Sequence, residues 1–170
     1  MNLRPRQPDD IAQCVTLLAD VHAASGYPLL WPDDPAEWLS PDNLLAAWVA
    51  EGDGAVIGHV ALRRAEDQLS APAWSAATGL PPRRLADVAK LFVAPRARGL
   101  GIGTTLLSAA RAEAGRRGLT PVLEVLDHDR AAIALYERAG WRRVASDPVP
   151  WAPSGSAPML LHAYIAPDER

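Results

Sequence analysis

Leu91-Phe92-Val93-Ala94-Pro95-Arg96-Ala97-Arg98-Gly99-Leu100-Gly101-Ile102-Gly103-Thr104-Thr105 reads as the end of a β-strand, a short loop and the glycine-rich opening of a helix. Gly99, Gly101 and Gly103 leave backbone N–H groups unshielded by side chains, at the positive end of the following helix dipole. That arrangement suits a phosphate group, and Arg96 and Arg98 bring guanidinium charge to the same loop.

Three phosphate loops could carry such glycines. A P-loop needs Gly-Lys-Ser/Thr after a four-residue gap, and the chain has no such string. A dinucleotide fingerprint would be Gly99-x-Gly101-x-x-Thr104, with Glu124 near the end of the next strand. There threonine replaces the third glycine, and Pro95 to Arg98 separate the first glycine from the strand, where the fingerprint demands a tight turn. The third is Arg98-x-x-Gly101-x-Gly103, which resembles the pyrophosphate loop of the GNAT superfamily of N-acetyltransferases. The resemblance continues on both sides of the loop. Leu91 to Pro95 is similar to the family's central strand ending. Leu123-Glu124-Val125, then Asp129-x-x-Ala132-Ile133-x-Leu135-Tyr136-Glu137-x-x-Gly140-Trp141, is similar to its next strand, helix and strand start. The similar stretch runs from about residue 86 to 144.

Outward from it, Ala86 to Val93 is expected as a strand, Gly101 to Arg117 as a helix and Pro121 to Leu126 as a strand. Arg130 to Ala139 should be a helix, Trp141 to Val144 a strand and Met159 to Ile165 the last strand. Toward the N-terminus, Met1 to Pro5 suggests a first strand. Asp9 or Asp10 is placed to cap a helix with Ile11, Val15, Leu18, Val21 and His22 at helical spacing. Pro35 to Leu39 should start a short helix. Gly52-Asp53-Gly54 should turn one strand, over Ala46 to Glu51, into another over Ala55 to Arg63, whose Val56, Gly58, Val60 and Leu62 share a face. Residues 65–85, rich in Ala, Pro and Ser, look like a long connection with a short helix over Ala73 to Thr78.

The resemblance implies a fold: α/β of the α+β kind, a central mixed, mostly antiparallel sheet of six or seven strands flanked by about four helices. Two central parallel strands would splay to admit coenzyme A. It implies one domain over 1–170, with a CoA-binding core at about 86–144 and an acceptor-side half at 1–65. It also implies acetyl-CoA as co-substrate. Its pantetheine arm would pair with Leu91, Phe92 and Val93, and its pyrophosphate would rest on Arg98 and the amides of Gly99, Leu100, Gly101, Ile102, Gly103 and Thr104. Attack by the amine is direct, and a strand N–H steadies the developing oxyanion.

Two side-chain roles follow from the same resemblance. Tyr136 falls where the family often places a general acid for the departing thiolate, the alternative being an aromatic that packs with Ala132 and Ile133. Glu124 is the candidate base, flanked by apolar Leu123 and Val125. Its alternative role is a carboxylate that bonds a neighbouring strand. Asp87 and His59 are rivals more easily explained as polar residues at strand edges. Asp129, a further candidate contact for the cofactor, stands where the family commonly has asparagine. It can cap the helix of Tyr136, but an ionised carboxylate cannot donate to a pantetheine carbonyl.

The acceptor region implied by the fold supplies Tyr27, Trp31, Asp33, Asp34, Glu37 and Trp38. Aromatics beside carboxylates suit a cationic amine, although Trp31 and Trp38 could equally cap the core. The implied acceptor is a primary amine of a small molecule or a peptide N-terminus. A non-catalytic acyl-CoA-binding module would need the loop but neither Tyr136 nor Glu124.

Composition narrows the partners. With 49% hydrophobic and 22% charged residues, 170 residues can bury a core without disulfides or metal. The single cysteine, Cys14, allows no disulfide pair within the chain and no cysteine-based metal site, and suits a small buried residue. A net charge of −3 without a basic stripe argues against nucleic acid, and the absence of a long apolar run argues against a membrane span. No signal-type start is evident, so a cytoplasmic location is expected. The oligomeric state stays open, a homodimer among the alternatives.

Overall fold

The structure is a computed structural model, and residues 1–152 and 154–169 are described. Seven strands form one mixed sheet in the order β1-β2-β3-β4-β5-β7-β6. The strands are β1 (Asn2–Pro5), β2 (Leu44–Gly52), β3 (Ala55–Arg64), β4 (Leu85–Val93), β5 (Thr120–Leu126), β6 (Arg142–Pro148) and β7 (Leu160–Ile165). The helices are α1 (Ile11–Ser25), α2 (Pro35–Leu39), α3 (Ala71–Thr78), α4 (Ile102–Arg116) and α5 (Arg130–Arg138). This is the expected mixed sheet, with a fifth helix where about four were expected.

Two compact units make up the chain, one of Met1–Arg63 with Val88–Glu113, the other of Arg64–Asp87 with Ala114–Arg170. In the first unit, β1 and β2 are antiparallel, with Asn2 opposite Glu51, and β2 and β3 form a hairpin. Asp53 (φ 52°) and Gly54 (φ 76°) both take left-handed values at its turn, as hairpin twist requires. The sequence places Val56, Gly58, Val60 and Leu62 on one face of β3. The strand is an interior one, and every residue from Val56 to Leu62 is buried. Helix α4 packs so closely over β3 that a Cβ on Gly58 would lie 2.9 Å from Leu106 Cδ1. The core face of α1 is Cys14, Leu17, Leu18 and Val21, and Gly26 ends the helix with φ 76°.

The helix start differs from expectation. Asp10 occupies the N-cap position of α1, but its side chain bonds none of the helix amides; Asp9 and Asp10 both sit in a 3-10 turn over Pro8–Asp10. The Asp10 carboxylate accepts two bonds from the Arg4 guanidinium, at 2.7 and 2.8 Å, and one from the Gln7 N–H at 2.6 Å. A nearby arginine offers a charged fork, and it outcompetes the helix amides for the carboxylate.

In the second unit, α3 starts at Ala71 rather than Ala73, and its Trp74 is fully buried. Trp74 joins a core cluster with Ala65, Ala71, Leu85, Val122, Ala163 and Ile165, so the 65–85 segment contributes packing of its own. Strand β7 pairs antiparallel with β5 on one side and β6 on the other. Strand β6 runs four residues past Val144, to Pro148, although most of it is exposed. Ladder bonds to β7 hold it where hydrophobic patterning gives no signal.

Candidate active site

The glycine loop follows a 3-10 turn over Pro95–Ala97 and runs straight into α4. Gly99 and Gly101 both have φ 79°, a conformation that side-chain-bearing residues rarely adopt. A Cβ built at either position meets no atom within 4 Å. The glycines therefore serve the backbone shape and the open space before it, not tight packing. Gly103 has no such φ and lies in the first turn of α4. Gly101 accepts at its carbonyl from the Thr105 N–H and hydroxyl, both at 3.1 Å. Helix start amides lack intrahelical acceptors, so Ile102, Gly103 and Thr104 bring their donors to the loop. Arg98 is exposed and donates to the Ser25 hydroxyl at the end of α1, 3.2 Å away. The loop thus fits a diphosphate, with an arginine at its entrance.

Strand β4 leads to this loop. Among the described residues, its parallel ladder with β5 pairs Leu85 with Thr120, Ala86 with Pro121 and Asp87 with Val122. Both strands continue, β4 to Val93 and β5 to Leu126. Within β4, Phe92 is buried while Leu91 and Val93 are half-buried. Lys90 has φ 55°, left-handed in a residue with a full side chain, at a cost of about 1–2 kcal/mol.

The first unit carries Leu91–Val93 and the loop, and the second carries Glu124, Asp129 and Tyr136. Tyr136 lies on α5, 7% exposed, with the rings of Tyr164 and Trp141 at 6.2 and 6.4 Å. Asp129 caps α5 by accepting from the Ala132 N–H at 3.2 Å. Glu124 accepts from the Ser70 N–H at 3.1 Å, at the start of α3. Sequence patterning gives no hint of that partner, because Ser70 is 54 residues away.

His59 and Asp87 are not strand-edge residues: both are fully buried. The His59 Nδ1 lies 2.8 Å from the Lys90 carbonyl oxygen, and its Nε2 lies 2.9 Å from an Arg6 Nη1. A guanidinium can only donate, so Nε2 accepts and the ring proton sits on Nδ1, donated to Lys90. Burial pushes the His59 pKa down to about 3; the bond to Lys90 opposes the shift, and the Arg6 and Lys90 charges add to it. The ring stacks on Phe92 at 4.9 Å.

Among the acceptor-side aromatics, Tyr27 lies 6.3 Å from Trp38 and 6.4 Å from Phe92. The face of Trp38 does not await an external cation. The Lys90 ammonium already sits 4.5 Å from its ring centroid. Trp31 packs its ring on His22 at 5.2 Å and remains 40% exposed. Asp34 caps α2 by accepting from Glu37 N–H. Asp33 and Glu37 are exposed. Lys90 and Arg6 went unremarked in the sequence, although a lysine inside an apolar strand run breaks the pattern.

A loop that fits a diphosphate, set between strand β4 and helix α4 of a mixed sheet with flanking helices, places the chain in the α+β class. The chain belongs to the acetyltransferase (GNAT) family, whose sequence model matches residues 13–141. It is 30% identical over 122 residues to a mycothiol acetyltransferase of Cellulomonas flavigena, covering 71% of this chain and 32% of that one. The chain thus spans about a third of that curated relative's length. Solved structures share the fold, two among them being these. One is a Salmonella typhimurium protein solved with its cofactor acetyl-CoA (TM-score 0.72, 21% identity, covering 100% of this chain and 95% of that one). The other is the ribosomal-protein-alanine N-acetyltransferase of Brucella melitensis (TM-score 0.72, 21% identity, 96% and 98% covered).

Proposed function

We propose that the chain is an acetyl-CoA-dependent N-acetyltransferase that passes the acetyl group directly to a primary amine of a small molecule or peptide N-terminus. One observation carries this reading: Gly99 and Gly101 in left-handed conformations, with open space before them, directly ahead of α4. Arg98 and the amides of Gly99 to Thr104 would hold the pyrophosphate, and the backbone of Leu91, Phe92 and Val93 would hold the pantetheine amides. Acetyl-CoA supplies a thioester already activated for acyl transfer. The chain needs no nucleophile of its own, in keeping with Cys14, a fully buried thiol whose pKa burial pushes up to about 11. Tyr136 Oη is the proposed proton donor to the departing thiolate, and a Glu124 carboxylate oxygen the proposed acceptor of the amine proton. Asp129 contributes as the cap of α5.

The name of the curated relatives, mycothiol acetyltransferase, puts mycothiol-related amines at the head of the acceptor panel, followed by amino acids, aminoglycosides and N-terminal peptides. A thermal-shift experiment tests the donor: acetyl-CoA should raise the melting temperature and NADH should not. Stabilisation by NADH alone would remove the donor assignment. A CoA-release assay over the panel tests catalysis. Binding without release from any amine would favour a non-catalytic acyl-CoA sensor.

A further inference from the structure

We propose that His59 is a positioning residue for the acyl donor: its ring holds the left-handed turn at Lys90 and thereby aims the backbone of Leu91, Phe92 and Val93. The inference rests on the donor site proposed above. Three observations carry it. Lys90 adopts φ 55° one residue before the stretch assigned to the donor. A side-chain-bearing residue persists there only when its surroundings over-determine it. The one ring N–H of His59 goes to the Lys90 carbonyl at 2.8 Å, inside the protein. The same ring stacks on Phe92, so it touches the turn and the strand beyond it together.

The other ring nitrogen shows how the ring itself is fixed. Arg6 Nη1 also donates to the Leu39 carbonyl at 2.8 Å, and Nη2 to the Ser40 hydroxyl at 2.6 Å. Arg6 therefore anchors on the end of α2 and presents one N–H to His59 Nε2. A charged donor on Nε2 leaves the imidazole only one tautomer, with its proton directed at Lys90. The chain of contacts runs from α2 through Arg6 and His59 to the turn in β4. The His59 side chain is fully buried, so it acts through the backbone it holds.

Two substitutions divide the ring's functions. The Asn amide reaches the place of Nδ1, so His59→Asn keeps a donor to the Lys90 carbonyl. The Gln amide reaches the place of Nε2, so His59→Gln keeps the acceptor for Arg6 and loses the donor to Lys90. Both remove the stack on Phe92 and should lower the melting temperature alike. Calorimetric titration with acetyl-CoA should find His59→Asn within about threefold of the wild type and His59→Gln weaker by about tenfold or more, because small misplacements of aligned groups are costly. Adding Lys90→Gly to His59→Gln should recover most of that loss, since glycine takes the left-handed φ unaided. Equal affinities in the two single variants overturn the inference. The ring 15N shifts of His59 in the unliganded wild type give a check that needs no acetyl-CoA. They should show a neutral ring protonated on Nδ1, and a proton on Nε2 overturns the proposal even if the variants fail to fold. Wild-type protein that does not bind acetyl-CoA would instead remove the donor reading, while the ring shifts still report on the hold at Lys90.

Discussion

Tyr136 has the surroundings of a packing residue, buried on α5 with two aromatic rings just over 6 Å away. Its proposed acid role therefore rests on the phenolic hydroxyl alone. Tyr136→Phe keeps the ring, so acetyl-CoA affinity should hold while turnover falls roughly 10²-fold or more. Unchanged turnover in a chemistry-limited assay would leave Tyr136 a core aromatic. The Glu124 carboxylate accepts from the Ser70 N–H, and the proposed amine proton would share the same group. Glu124→Gln retains an oxygen for Ser70 but cannot take up a proton, so the fold should survive. Most activity should go if the carboxylate takes up the amine proton. Activity that survives Glu124→Gln with every amine tested assigns the proton to solvent.

At the level of elements, the loop into α4 is the feature most exposed to a single change. Gly101→Ala meets no steric obstacle, and its penalty is the left-handed φ, about 1 kcal/mol, or roughly 2–4 °C in melting temperature for a chain of this size. The added methyl group enters the space proposed for the phosphates, so the stabilisation by acetyl-CoA should be lost out of proportion to that small drop. A variant that keeps its full acetyl-CoA shift would separate Gly101 from the donor site. The glycines, the β2–β3 turn and helices α1, α4 and α5 were legible because each leaves a local signature: a breaker, a cap or an apolar spacing. What was not legible depends on distant partners. Asp10 looked like a cap because nothing local reveals the Arg4 fork. The left-handed turn at Lys90 has no sequence signal, since lysine does not favour it. His59 looked peripheral because an isolated histidine in a strand does not disclose that both its nitrogens are engaged.

Across the whole molecule, buried polar groups set the acid limit of stability. The His59 pKa is about 3 in the folded chain against 6.5 for the free side chain, so between those values the unfolded chain binds the extra proton. Stability from this group is complete above pH 6.5 and drains away as pH falls toward 3. His162, lowered by burial and by the Arg143 charge, pulls the same way. Asp10 is held at about 2, chiefly by its bonds from Arg4, against 3.8 when free. Its contribution is complete above 3.8 and lost only as pH drops toward 2. Urea unfolding at pH 7, 5.5 and 4.5 should therefore show the first loss in the histidine window. His59→Gln should start less stable at pH 7 and lose less between pH 7 and 4.5. A slope equal to the wild type's would show that His59 does not govern this limb.

The sealed thiol on α1 offers an internal clock. Cys14 is the chain's only cysteine, has no exposed surface, and is kept protonated by burial far above neutral pH. A thiol reagent in solution can react with it only during moments when α1 comes away from the strands beneath it. Under excess reagent at pH 7.5, the labelling rate of the native chain therefore counts opening events directly, with no engineered probe. Acetyl-CoA, if it binds only the closed chain, should slow that rate by the same factor by which it deepens stability.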